Sequence, residues 1–425
     1  MSLLLSGGFV YQEGQFSRCD VAIDGQRIAL ISPNISSISF DHVLQFNDCF
    51  IIPGLLDVHV HLRQPGFSYK ETVATGTLAA ARGGYTAVCA MPNLDPCPDS
   101  PEHLALEQQI IDNDAIIDVY PYACITHGQR GKELVDIETL APRVIGFSDD
   151  GRGVQDIGLM REAMNRVAAS GSIIAAHCED ETLLNGGYIH DGDYARKHWH
   201  TGIPSASEYK QLERDLELVR DTKCRYHVCH VSTKESVGLI RAAKQDGLPV
   251  SCETAPHYLL LCDSDLRDEG RFKMNPPLRS EADRDALVQG LTDGTVDMIA
   301  TDHAPHSAAE KNRGLKDSVF GITGLETAFR ILHTRLVSAG VITIQQLVEK
   351  MSVVPREIFN IGGGIEVGQR ADMCVIDPDI TSTIDSAAFY SMGKATPFDG
   401  MYTLGDIAAT ISGGKVVWQN STTQN

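Results

Sequence analysis

The chain lacks several things that would settle its class at once. No apolar run approaches the roughly 20 residues that a membrane-spanning helix needs, so no span is expected. The opening stretch, MSLLLSGGFVYQEG, has no basic segment and too short an apolar one for a signal peptide, which predicts a cytoplasmic protein. No CxxC pair occurs, and the 11 cysteines are odd in number. Cys89, Cys124, Cys178, Cys229 and Cys252 sit inside apolar runs, which reads as buried reduced thiols and excludes a disulfide framework or a thiolate zinc site. Positive charge is scarce: 36 Lys and Arg face 56 Asp and Glu, a net charge of −20. Such a surface repels nucleic acid and anionic membranes. It also repels a small anionic substrate, so an anion site here must carry its own local positive charge. There is no low-complexity linker and no short-period repeat.

What remains is an ordinary globular composition, 43% hydrophobic and 22% charged, over 425 residues. That is enough for one large domain and a small one. Both ends read as strands. CDVAIDGQRIALI has an Asp-Gly hairpin signal, and GDIAATISGGKVVWQN turns at Gly-Gly. The economical reading is one small β-sandwich domain built from residues 1–52 and 363–425. Between them, over 53–362, eight apolar runs alternate with helical patterns: LLDVHVHL, TAVCAMPN, DVYPYACIT, VIGFSDD, IIAAHCED, YHVCHVST, VSCETAPH and DMIATDHAPH. Apolar strands alternating with helices mean parallel β/α architecture. Eight such units predict an α/β fold of the TIM (β/α)8 barrel type.

Catalytic groups of a barrel sit at the C-terminal ends of its strands. Reading each run there gives His59 and His61, Asn93, Asp149 and Asp150, His177, His230 and Asp302. Residues i and i+2 of a strand share a face, so His59 and His61 point the same way. Taken singly, each has a plain structural explanation: a packing histidine, or a turn at Asp-Asp-Gly. Four histidines and two aspartates at the same end of one barrel favour a metal site. Imidazole and carboxylate ligands suit Zn²⁺ ahead of Mn²⁺ or Fe²⁺. Arg63, two residues after His61, has the planar fork that suits a carboxylate. His227 and His257 are expected to support the site or the packing; His42, His103, His127, His190, His198, His200 and His333 are expected at the surface.

With these residues in place, the chain resembles the bacterial type I dihydroorotases of the amidohydrolase superfamily. The resemblance runs over essentially the whole chain, through DVHVHLRQPG, AMPN, FSDDG, AAHCED, HVCHVST, KMNPPLR, ATDHAPH, FGITGLET and GKATPFDG. It implies a binuclear zinc site, with His59, His61 and Asp302 on one ion and His177 and His230 on the other. Many relatives bridge the ions with a carboxylated lysine on strand 4. Here that place is Asp149-Asp150, and the type I pattern makes Asp150 the bridge, with Asp149 as the fallback. The implied reaction is reversible hydrolysis of (S)-dihydroorotate to N-carbamoyl-L-aspartate, the third step of pyrimidine synthesis, with Asp302 as general acid and base. The resemblance further implies that Arg63, Asn93 and His306 hold the substrate carboxylate, while His61, Asn275, Phe320 and Gly321 contact the rest of it. Polar residues 307–319 are expected to form a lid. Two other readings compete with it: another cyclic amidohydrolase, such as an allantoinase or dihydropyrimidinase, and a non-catalytic scaffold for aspartate transcarbamoylase. The first is disfavoured by the missing lysine, the second by the retained ligands. A homodimer, with transcarbamoylase association open, is implied by resemblance alone.

Overall fold

A computed structural model describes residues 2–37 and 40–420. Positions 1, 38–39 and 421–425, which the expected terminal domain includes, lie outside the described residues. The N-terminal part supplies β1 (Ser2–Gln12), β2 (Gln15–Asp24), β3 (Arg27–Ser32), β4 (His42–Gln45) and β5 (Phe50–Pro53). The strands that follow are β6 (Leu55–Val60), β7 (Tyr85–Ala90), β8 (Asp118–Pro121), β9 (Ile173–Ala176), the short pair β10 (Ile189–His190) and β11 (Gly202–Ile203), β12 (Arg225–Val228), β13 (Val250–Thr254) and β14 (Met298–Ile299). The C-terminal part adds β15 (Met373–Thr383), β16 (Tyr402–Ser412) and β17 (Lys415–Gln419).

The two ends of the chain make one eight-stranded sheet in the order β17-β16-β15-β5-β1-β2-β3, with β4 on β1. Its strands enclose a core of their own that includes Leu3, Val21, Ile51, Met373 and Ile411. The hairpins fall where the turn residues put them. Gly25 has φ 57 between β2 and β3, and Gly413 and Gly414 have φ 55 and 75 between β16 and β17. A two-residue hairpin turn demands positive φ at its first central position or at both, and glycine meets that demand without a Cβ clash.

The middle of the chain is a closed parallel barrel. β6 pairs β7, and β7 pairs β8. β9, β12, β13 and β14 pair in that order. The fourth run, VIGFSDD, forms no extended ladder; Phe147 alone bridges Ala123 on one side and Ile174 on the other. A parallel bridge from Val60 to His303 closes the ring. Residues alternate between two environments, as a strand period of two requires. Ala87, Cys89 and Met91 join Ile173 and Ala175 in the barrel interior, while Val88, Ala90 and Ile174 face the surrounding helices. The helices between strands are capped by their own sequence: Thr72 caps 73–82, Asp156 caps 157–169 and Thr233 caps 234–245, each accepting from a backbone N–H of the first turn. No helix among the described residues is long and apolar enough to cross a membrane.

Candidate metal centre and anion site

The barrel mouth holds a cavity of about 200 Å³. Its lining brings together His61, Arg63, Asn93, Asp150, His177, His230, Asn275, Asp302, His306, Phe320 and Gly321, all expected from the sequence. His59 lies directly beneath it, fully buried. Larger cavities open beside His190 and Glu281 (870 Å³) and beside Tyr11 and Glu366 (790 Å³), but among the described residues the groups of histidine, cysteine and carboxylate donors that converge within 4.8 Å all contain His59.

Strand parity explains some of these placements. His177 continues the inward series 173, 175, and Asp302 continues 298, 300. His230 does not follow parity, since Cys229 beside it is the inward residue. It reaches the mouth because its backbone is left-handed, φ 34. Asp302 (φ 48) and Arg63 (φ 63) share that conformation. It strains residues with a Cβ and gathers at functional sites. A register shift in the β6–β7 pairing between Asp57 and Val60 re-aims the strand that carries His59.

The distances define a tight cluster. His61 Nε2 lies 3.1 Å from Asp302 Oδ1 and 3.6 Å from Asp150 Oδ2. His59 Nε2 lies 3.4 Å from Asp150 Oδ1 and 3.5 Å from Asp302 Oδ1. His230 Nε2 lies 3.4 Å from Asp150 Oδ1, and His177 Nδ1 lies 2.9 Å from His230 Nε2 and 3.7 Å from Asp150 Oδ1. Three triads, His59–His61–Asp302, His59–Asp150–His230 and, on the far side of His59, His59–Cys229–Glu253, present donor atoms within 4.8 Å of one another. Burial pushes the Asp150 carboxyl up, but His59, His177 and His230 hold it well below the usual carboxylate range.

Asp149, the fallback for the bridge, points elsewhere. Its carboxylate accepts from the backbone N–H of Ile125 (2.8 Å) and Thr126 (3.1 Å) and from the Thr126 hydroxyl, which ties β8's loop to strand 4.

The donor set fits a metal ion. His59 Nε2 and Asp150 Oδ1 are buried with no hydrogen-bond partner and lie 3.4 Å apart within the cluster, while the equally unpartnered His177 Nε2 lies 3.6 Å from Glu179 Oε2. Buried polar atoms are nearly always paired, and imidazole nitrogens with carboxylate oxygens are zinc-type ligands.

Beneath the cluster sits Glu253, which the sequence reading missed. It accepts from His59 Nδ1 at 2.7 Å and lies 3.2 Å from His227 Nε2. A carboxylate behind a ligating imidazole fixes its tautomer and orientation. The signal was present: Glu253 is a charged residue at an inward position of an otherwise buried strand, VSCET. Asp57 does a related job, accepting from the backbone N–H of His59 and Thr301 and so joining the first and last barrel strands. His257 is buried against Tyr258, and burial lowers its pKa to about 4. Two of the histidines expected at the surface, His190 and His333, are buried instead. His190, which pairs with Ile203 in the β10–β11 ladder, lies next to Arg279, and His333 hydrogen-bonds the Leu404 carbonyl.

The opposite wall is cationic. Arg63 is buried, and its Nε donates to the Pro305 carbonyl at 3.2 Å. Among the described residues no carboxylate forms an ion pair with it. Burial pulls its pKa down to about 10, so it stays charged at neutral pH. Its Nη2 contacts His306 Nε2 at 3.2 Å. Asn93 donates to the Asp150 carbonyl at 2.7 Å, and Asn275 donates to Glu179 at 3.0 Å; each leaves its amide oxygen unpartnered. Residues 307–319 carry two short helices, Ala308–Lys311 and Gly314–Asp317, packed down by the buried Leu315 and Lys311. Lys273 stacks under Phe320 at 4.6 Å and donates to the Lys316 carbonyl at 2.9 Å, tying the site to this segment.

Comparison with known proteins agrees with this geometry. The family model described as Dihydro-orotase-like matches residues 49–236. The dihydroorotase of Geobacillus thermodenitrificans is 48% identical over 424 residues, covering 99% of each chain. That of Bacillus caldolyticus is 47% identical over 423 residues, again covering 99% of each. Among solved structures, the L-hydantoinase (dihydropyrimidinase) of Arthrobacter aurescens superposes with a TM-score of 0.89 at 26% identity, covering 98% of this chain and 96% of its own. The dihydropyrimidinase of Brevibacillus agri, at 23% identity and a TM-score of 0.86 over 99% and 95% of the two chains, shares the fold. A barrel of this kind, its metal-competent cluster and near-complete alignment with these relatives place the chain in the dihydroorotase family of the amidohydrolase superfamily.

Proposed function

We propose that this chain interconverts (S)-dihydroorotate and N-carbamoyl-L-aspartate in pyrimidine synthesis, using two zinc ions held by His59, His61, Asp150, His177, His230 and Asp302. The observation that carries the substrate reading is Arg63, a buried guanidinium with no acidic ion-pair partner among the described residues, beside a metal-competent cluster in a protein of net charge −20. A buried charge persists when something pairs it, and a substrate carboxylate meets that need. Hydantoins and dihydropyrimidines without a carboxylate would leave Arg63 unpaired, which disfavours the activity named for the structural relatives.

Zinc, when bound, acidifies a water and polarises a carbonyl, the two things amide hydrolysis lacks in plain solution. The residues of the chain do the rest. Arg63 and His306 grip the carboxylate, with the Asn93 side chain beside them, and so set the ring against the cluster. Asn275 and the backbone at Phe320–Gly321 read the ring's amide groups. Asp302, 3.1 Å from His61, takes the proton of the attacking water and returns it to the departing ring nitrogen. In the closing direction it delivers that proton to the leaving hydroxide. Asp150, reached by His59, His177 and His230, is the common acceptor between the two ligand sets.

The test is an absorbance assay for dihydroorotate with purified, zinc-supplemented protein, run beside dihydrouracil and hydantoin, with metal analysis of the same sample. Turnover of dihydroorotate with zinc present supports the reading. Faster turnover of a ring without a carboxylate would overturn it. The accompanying expectation of a homodimer is checked by sedimentation.

A further inference from the structure

His306 is placed in a way that neutral imidazole cannot fully satisfy. Its Nε2 faces Arg63 Nη2 at 3.2 Å, and its Nδ1 faces Lys70 Nζ at 3.3 Å. Both neighbours are donors, whereas a neutral imidazole has one N–H and one lone pair. Double protonation is no remedy: burial first, and then the charges of Arg63, Lys70 and Lys311, drive the His306 pKa down to about 2. One ring nitrogen therefore accepts, and the other carries its proton toward a cation.

Which nitrogen accepts decides whether the pocket can hold an anion. If Nε2 accepted from Arg63, its lone pair would be committed on the substrate side and would repel a carboxylate there. If Nδ1 accepts from Lys70, Nε2–H and the Arg63 guanidinium become two neighbouring donors at one wall. The surroundings favour the second arrangement. Lys70 is held in place by Glu310, 3.0 Å from its ammonium, and lies over the rings of Phe67 and Tyr69. Among the described residues Glu310 is the one carboxylate paired with Nδ1, at 3.7 Å. Its oxygens are already engaged by Lys70, by the Tyr69 hydroxyl, and by the backbone N–H and hydroxyl of Ser307. The Phe320 carbonyl also faces the ring and favours a ring N–H.

The geometry points to Lys70 as a positioning residue that donates to His306 Nδ1 and so fixes the Nε2–H tautomer needed to bind the substrate carboxylate. This rests on the substrate reading above. It adds a residue outside the pocket lining that the sequence pass did not single out. Lys70 touches no reacting atom; it acts through His306. Its loss frees Glu310 to accept from Nδ1–H, which turns the Nε2 lone pair toward the anion.

The experiment uses the full-length, zinc-loaded protein labelled with ¹⁵N-histidine. Long-range proton–nitrogen spectra distinguish the two tautomers, and the signals lost in His306→Gln identify His306. The parent should show Nε2–H at His306, and Lys70→Met should show Nδ1–H. KM for dihydroorotate should rise about tenfold in Lys70→Met, the scale of one lost hydrogen bond to a charged group, while kcat holds. Lys70→Arg keeps a cationic donor and should restore both the tautomer and KM. A parent carrying Nδ1–H, or a Lys70→Met spectrum identical to the parent, would overturn the assignment. The tautomer is read without substrate. A protein that fails to turn over dihydroorotate yet shows the expected spectra would sink the substrate reading and leave the role of Lys70 standing.

Discussion

The two walls of the pocket are electrostatic opposites. On one, Asp150 and Asp302 sit among four histidines, and burial is outweighed by attraction, so both carboxyls stay below their ordinary range. On the other, Arg63, Lys70 and His306 crowd together, and Arg63 has no acidic partner among the described residues. His61 stands between them, its pKa lowered by burial and by Arg63. A chain of net charge −20 could have neutralised Arg63 many times over. That it does not, while Lys70 a few residues on is paired with Glu310, teaches that the two walls are complementary to two different guests. One wall lacks a cation and the other lacks an anion.

The sharpest way to break that division is at Asp302, which we assign both to the ligand set and to the proton path. Asp302→Asn keeps the shape and loses the proton, so kcat should fall in both directions by about 10²–10⁴-fold, the usual worth of a general acid–base. A metal-replete variant with near-normal turnover would leave Asp302 as a ligand alone. Next comes the adjacent pair. Asp150→Ala should lower zinc content and activity together. Asp149→Ala should keep its zinc but lose about 1–3 kcal/mol of stability, because it strands the N–H groups of Ile125 and Thr126. Metal analysis and thermal unfolding of the two variants separate these effects, and a reversed pattern would exchange their roles.

On the cationic wall, Arg63→Lys keeps the charge but loses the planar fork. Substrate binding should weaken by about 1–3 kcal/mol with zinc content unchanged. An unaltered kcat/KM would remove Arg63 from the anion site. A last effect, on stability and not on activity, concerns Lys311, which burial and Lys273 bring down to a pKa of about 7. The unfolded chain, with its lysine near 10.5, binds more protons between these values. Stability from this group therefore rises with pH from about 7 to 10, at no more than about 1.4 kcal/mol per pH unit. Below pH 7 the full cost of burying the charge is present. Unfolding curves of Lys311→Met across this range should lack that component; equal slopes in both proteins would show that Lys311 titrates normally.

Much of this was legible in the sequence, and the reasons are particular. Barrel strands are buried on both faces, so their apolar runs stood out, and strand ends located His177 and Asp302 by parity. The terminal hairpins were written in Asp-Gly and Gly-Gly. Other features depend on contacts that no local pattern encodes. VIGFSDD reads as a strand but makes a single bridge on either side, at Phe147, with further backbone hydrogen bonds from Ile145 to Pro121 and from Ser148 to Ala123. The left-handed backbone at His230 is imposed by the assembled mouth. Glu253 gains its meaning from His59 and His227, which lie on other strands. His190 and His333 looked like surface residues because the segments that cover them are distant in sequence.

The terminal sheet has a consequence for how the chain is made. β5 runs into β6 with only Gly54 between them, where a Cβ would strike the side chain of Thr86. The strand bearing the HxH pair is thus a direct extension of the terminal sheet. β5 lies between β1, which precedes it, and β15, which begins at Met373. During synthesis β1 is ready at once, but the other edge of β5 stays bare until nearly the entire barrel has been translated. An unpaired strand edge is a template for the wrong neighbour. Residues made only after the barrel are therefore the ones that seal the edge beside the first metal-competent strand, and a chain cut short before Met373 would carry every expected ligand and still expose that edge.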